Sequence, residues 1–155
     1  MKIAEILTQD MVLAELLAPD KESALRELAA HMCAHAPAAH LATDQVFTAL
    51  NERERLGSTG VGEGIAIPHA KIVGLETLLA AFSRSRAGVA FDAVVGQPAH
   101  LIFVLLVPEN SAGAHLKALA RISRFLKSAE FRERLRNAVD APSIYEAFLQ
   151  EDAKY

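Results

Sequence analysis

Leu101-Ile102-Phe103-Val104-Leu105-Leu106-Val107 is the stretch that decides the fold. Seven apolar residues without polar alternation fit a strand at the centre of a sheet, covered on both faces. Working outward toward the C-terminus, Ser111 can cap a helix reaching about Lys127, and Ser128 a second one carrying Phe131 and Leu135. Asp140 with Pro142 opens a last helix holding Ile144, Tyr145, Phe148 and Leu149. Toward the N-terminus, Gly88–Phe91 and the turn Gly96-Gln97-Pro98 bracket a short segment, and Leu78–Phe82 and Ile65–Ile67 read as strands. Thr43 or Asp44 caps a helix to about Arg55 with Val46, Phe47 and Leu50 inward. Asp20 caps another through about His35, with Leu25, Leu28, Ala29 and Met32 as its buried face, and Ala36-Pro37-Ala38-Ala39 breaks the chain between the two. Met11–Leu17 reads as an apolar strand and Ile3–Leu7 as a helical turn. The expectation is an α/β fold, a single domain over residues 1–155. It should hold a mixed sheet of about five strands with helices on both faces.

Composition narrows the function classes. With 52% apolar and 23% charged residues, the chain is expected to be soluble and globular. A net charge of −3 provides no basic field for nucleic acid. Cys33 is the single cysteine, which rules out an intrachain disulfide and favours a reducing compartment. The N-terminus meets Glu5 before any signal-peptide apolar core could form, and no apolar run approaches the ~20 residues that span a bilayer. The protein is therefore expected in the cytoplasm, without membrane insertion.

The chemistry concentrates between residues 57 and 69. Gly57-Ser58-Thr59-Gly60-Val61-Gly62-Glu63-Gly64 places four glycines in eight positions, a density suited to positive φ and close backbone approach. Ile65-Ala66-Ile67-Pro68-His69 follows. Pro68 fixes its own φ, biases Ile67 to extended geometry and offers no N–H, so the strand should stop there and present His69 with little freedom. Imidazole is a nucleophile at physiological pH, and its phosphoramidate is a good phosphoryl donor. Taken alone, the spacing also fits a structural histidine after a strand-terminating proline.

The run Arg53-Glu54-Arg55-Leu56-Gly57-Ser58-Thr59-Gly60-Val61-Gly62, then Gly64-Ile65-Ala66-Ile67-Pro68-His69, resembles the phosphorylation-site signature of enzyme IIA domains of the fructose/mannitol class, in particular their nitrogen-regulatory branch, in the bacterial phosphotransferase system. The resemblance covers most of the chain. It implies that His69 accepts a phosphoryl group from an HPr-like carrier (HPr or NPr). It also implies that His115 is a second site histidine and Arg53 the guanidinium that holds phosphate. The Gly57, Ser58, Thr59 and Gly60 amides would add an anion-binding nest. On residues alone, His115 is also an ordinary helix histidine. Glu52-Arg53-Glu54-Arg55 is equally a solvated helix end, with Arg55 competing for the role of Arg53. In the nitrogen branch the phosphorylation state would be the output, read by targets such as sensor kinases or potassium transporters. In a sugar-specific relative the group would pass to an enzyme IIB. A binding module with a silent histidine is the third possibility. The resemblance implies no cofactor and no metal, and a phosphoryl carrier rather than a conventional turnover enzyme.

Other motifs fall away. The glycine loop lacks the Gly-Lys-Ser/Thr of a P-loop and is followed by a strand where a helix is required. His31 and His35, spaced by four with Cys33 and His40 nearby, lie on the flank of a helix without an acidic partner and read as solvated. Ser58 has no nucleophile-elbow setting. Arg132-Glu133-Arg134-Leu135-Arg136 reads as the solvated side of a helix.

Overall fold

The computed structural model describes residues 1–91, 97–111 and 113–155. Five helices, α1 (Lys21–His35), α2 (Thr43–Leu56), α3 (Ala114–Lys127), α4 (Ala129–Asn137) and α5 (Ala141–Lys154), pack on a six-stranded sheet. Its strands are β1 (Val12–Leu13), β2 (Gly60–Gly62), β3 (Ile65–Ala66), β4 (His69–Ile72), β5 (Leu79–Val89) and β6 (Ala99–Pro108). The order is β1-β5-β6-β3-β2, with β4 also paired to β6. β5 runs antiparallel to β6, whereas β3 and β4 run parallel to it, so the sheet is mixed. From Leu101 to Val107 the β6 side chains are all buried.

Register assigns the faces. Phe82 pairs with Phe103, and both rings pack against Phe148 of α5, at 5.1 and 5.9 Å between centroids. Phe131 of α4 joins them at 5.2 Å and touches Phe125 of α3 at 5.9 Å, so α3, α4 and α5 cover this face. The opposite face carries Ala70 and Ile72, buried where α2 packs on β4, with α1 beside α2.

Three helix starts are capped as their sequences require: Asp20 accepts from Ser23 N–H, Ser128 from Phe131 N–H and Asp140 from Ser143 N–H. Those bonds hold the Asp20 and Asp140 carboxyls below the ordinary value of 3.8.

Several expectations need correction. The Met11–Leu17 segment is strand only at Val12–Leu13, because Gln9–Met11 forms a 3-10 turn instead. The strand expected over Leu78–Phe82 runs from Leu79 to Val89, since β6 partners Leu79 to Arg84 and, beyond an irregularity, Val89. Neither Thr43 nor Asp44 caps α2; Ala42 occupies that position without a side-chain bond. α3 starts later than Ser111, with Gly113 at φ 88° as its N-cap. The Gly96 side of the segment bracketed by Gly88–Phe91 lies outside the described residues.

The sheet also holds two strands the sequence reading omitted. β2 pairs antiparallel with β3 through a two-residue turn in which Glu63 and Gly64 both have positive φ, 57° and 76°. That is the geometry of a tight hairpin turn. β4 begins at His69 itself.

Arg84 on β5 is 2% exposed and was not singled out from the sequence. Its guanidinium donates to the carbonyls of Ala14, Leu135, Arg136 and Ala138, tying the C-terminal end of α4 to the sheet. Nη2 makes no hydrogen bond and lies 3.7 Å from Glu15 Oε1. Burial, and then Arg86 nearby, push its pKa down from the usual arginine value against the pull of Glu15. The run 132–136 is likewise more than a solvated face. Arg132 donates to the carbonyls of Leu126 and Lys127, and Arg136 donates to that of Glu63.

Candidate functional site

His69 does not end a strand. Ile65 and Ala66 pair with Leu101 and Ile102, and His69 resumes the same register opposite Leu105, so β3 and β4 are one strand line interrupted at Ile67-Pro68. Proline cannot donate, yet the Pro68 carbonyl still accepts Leu105 N–H at 2.9 Å, which keeps the line together. Its pairing with Leu105, two residues from Phe103, directs His69 to the face of α3, α4 and α5. There His69 is half-buried and Lys71 exposed, so the helices leave this end of β4 partly uncovered.

One contact defines the imidazole. His69 Nδ1 lies 2.8 Å from the Ile67 carbonyl oxygen. A carbonyl only accepts, so Nδ1 carries the proton and Nε2 keeps its lone pair. Nε2 is therefore the ring nitrogen able to act as a nucleophile.

His115 is the second residue of α3, on the same covered face, and half-buried. Its Nδ1 lies 2.7 Å from Ser111 Oγ, so the serine expected to cap the helix instead orients the imidazole. At this helix start Ala114 N–H and Leu116 N–H already donate to the Ser111 and Gly113 carbonyls, both at 3.0 Å. Arg53 comes from the other layer, in the last turn of α2, where Nη1 donates to the Gly57 carbonyl at 2.8 Å. Among the described residues, no hydrogen bond joins Arg53 to either histidine. Arg55 is exposed.

The glycine loop is braced from within. Gly57 N–H donates to the Glu54 carbonyl, Thr59 N–H to the Glu54 carboxylate, and Gly60 N–H to Ser58 Oγ, whose own hydroxyl donates to the Phe91 carbonyl. Glu54 is 6% exposed, so within Glu52-Arg53-Glu54-Arg55 it is not part of the solvated helix end that the sequence allowed. Its signal was a glutamate five residues before a threonine at a helix-to-loop junction. Beside the loop, a groove of about 550 Å³ is lined by Val61, Ile65, Ile67, Leu126 and Arg132.

His31 and His35 stack at 4.1 Å and bond the backbone carbonyls of Asp10 and His31. No group of three or more His, Cys, Asp or Glu side chains suited to a metal occurs among the described residues.

An open mixed sheet covered by helices on both faces, with a half-buried histidine at the start of β4 and a second at the start of α3, defines a single α/β domain. Residues 5–151 match the family described as phosphoenolpyruvate-dependent sugar phosphotransferase system, EIIA 2, and the chain belongs to that family. It is 40% identical over 148 residues to a nitrogen regulatory protein of Bradyrhizobium diazoefficiens, covering 94% of this chain and 93% of that one. It is 37% identical over 153 residues to a fructose-specific EIIABC component of Bacillus subtilis, spanning 98% of this chain but 24% of that longer protein. The crystal structure of the nitrogen regulatory protein IIA-Ntr from Neisseria meningitidis superposes with a TM-score of 0.87 at 35% identity, covering 94% of this chain and 98% of that one.

Proposed function

We propose that the protein is a histidine phosphocarrier of the phosphotransferase system that takes a phosphoryl group on His69 from an HPr-like protein. The observation that carries the reading is the bond from His69 Nδ1–H to the Ile67 carbonyl, which leaves Nε2 as the free nucleophile. Nε2 attacks phosphorus in line. The P–N bond to the donor imidazole breaks with its electron pair returning to that ring, while the His69 Nδ1 proton stays on Nδ1, donated to the Ile67 carbonyl. His115, Arg53 and the Ser58 N–H meet the phosphoryl oxygens, whose charge must be stabilised in the transition state, whereas the Gly57, Thr59 and Gly60 amides of the expected nest already donate to Glu54 and Ser58. No metal, nucleotide or other cofactor takes part.

The nitrogen-regulatory reading is supported by relatives of that name that match over nearly their whole length. On it, the phosphorylation state of His69 is the signal, read in the cytoplasm by partner proteins such as sensor kinases or potassium transporters. Among the described residues, no helix is long and apolar enough to cross a membrane. The fructose-specific relatives favour a second reading, in which the group passes to an enzyme IIB. Incubation with phosphoenolpyruvate, enzyme I and HPr or NPr, followed by intact mass with and without acid, tests the proposal. One acid-labile phosphate, absent from His69→Ala, is the expected result. An unchanged mass with either carrier overturns it. Onward transfer to an enzyme IIB separates the two branches.

A further inference from the structure

Glu54 is a buried carboxylate that the proposed transfer does not use. Both of its oxygens are engaged: Thr59 N–H lies 3.1 and 3.3 Å away, the Thr59 hydroxyl donates to Oε1, and Lys21 Nζ is 3.0 Å from Oε2. Thr59 is itself 5% exposed. Burying a charge is unfavourable unless it is fully paired, so this trio demands a specific loop conformation.

The bonds continue from Thr59 to the nucleophile. The Thr59 carbonyl accepts Ile67 N–H at 3.0 Å, and the Ile67 carbonyl accepts His69 Nδ1–H at 2.8 Å. On the other side, Gly57 N–H donates to the Glu54 carbonyl while the Gly57 carbonyl holds Arg53. Ser58 and Lys21 close the brace on Phe91, through its carbonyl and, at 5.7 Å, its ring. One buried carboxylate thus anchors the loop between Arg53 and His69.

We infer that Glu54 and Thr59 are positioning residues, which hold the Ile67 carbonyl where it locks His69 in the Nδ1–H tautomer. In the other tautomer the lone pair sits on Nδ1, facing that carbonyl oxygen, and Nε2 cannot attack. Alignment of hydrogen bonds along the chain reinforces the preference. The inference rests on His69 Nε2 being the acceptor.

The test uses wild type, Thr59→Val, Thr59→Ser and Glu54→Gln. Its readouts are ring nitrogen NMR of His69 and the rate of acid-labile phosphate gain against phospho-HPr concentration. Wild type should show the Nδ1–H tautomer alone, which requires no variant. A mixed or reversed tautomer in wild type overturns the inference. Thr59→Val, nearly isosteric, should show a mixed tautomer. Its saturating rate should fall roughly 10- to 100-fold, the scale of misplacing a reacting group, with half-saturation unchanged. Thr59→Ser, which keeps the hydroxyl, should restore both, and Glu54→Gln should behave as Thr59→Val. A wild-type rate and tautomer in Thr59→Val, or a loss that Thr59→Ser does not restore, would refute the positioning role. If wild type accepts no phosphate the phosphocarrier reading fails, while the tautomer measurements still decide this inference.

Discussion

Replacing Arg84 with methionine isolates a buried polar clamp from the apolar core around it. The side chain is similar in length and would occupy much the same space, so packing changes little. What disappears is a charged donor to four backbone carbonyls, those of Ala14, Leu135, Arg136 and Ala138. An orphaned buried acceptor costs about 1 kcal/mol at the low end, about 4 kcal/mol for the set. The guanidinium no longer has to be desolvated, which offsets part of that loss and leaves a net destabilisation of about 3 kcal/mol. For a chain of this size the melting temperature should drop by about 9 °C. Urea titration followed by circular dichroism measures the free energy, with an unchanged slope expected. Arg84→Lys should recover only a fraction, because a point charge cannot serve the Ala14 carbonyl together with those of Leu135, Arg136 and Ala138. A loss under about 1 kcal/mol for Arg84→Met would show that water satisfies these carbonyls, and the clamp argument would be refuted.

Phe148→Ala removes the ring that joins Phe82, Phe103 and Phe131, and should cost about 3–5 kcal/mol in the same titration. His115→Ala should leave the fold and weak acceptance intact but slow phosphoryl transfer about 100-fold; rapid-quench rates equal to wild type would remove His115 from the site. Asp140 accepts Ser143 N–H and titrates below 3.8, so its stabilisation is present above that value and disappears as pH falls through the lowered folded value. Asp140→Asn should therefore flatten part of the acid limb of the melting temperature against pH, and an unaltered limb would contradict the assignment.

The sequence by itself determined what short-range chemistry controls. Asp20, Ser128 and Asp140 cap their helices because a cap bond spans three residues, and the helix faces follow from periodicity. The β6 run was legible because burial on both faces leaves no polar positions. The Ile-Pro-His motif singled out His69 from its neighbours along the chain. Tertiary structure alone decided which elements meet. β2 and β4 are strands because β3 and β6 supply their partners, and nothing in Gly60–Gly62 or in His69–Ile72 announces that pairing. Ser111 reads as a cap, yet its hydroxyl bonds the His115 ring because the helix begins two residues later. Arg84 looked like any strand arginine until α4 delivered its carbonyls from fifty residues away. The reactive nitrogen of His69 was likewise undetermined, since a tautomer is chosen by the acceptor beside it. Here that acceptor is a carbonyl exposed by the break at Pro68 and steadied through Thr59 by Glu54. Partners of buried polar groups are set by the packing of distant segments, which no local pattern encodes.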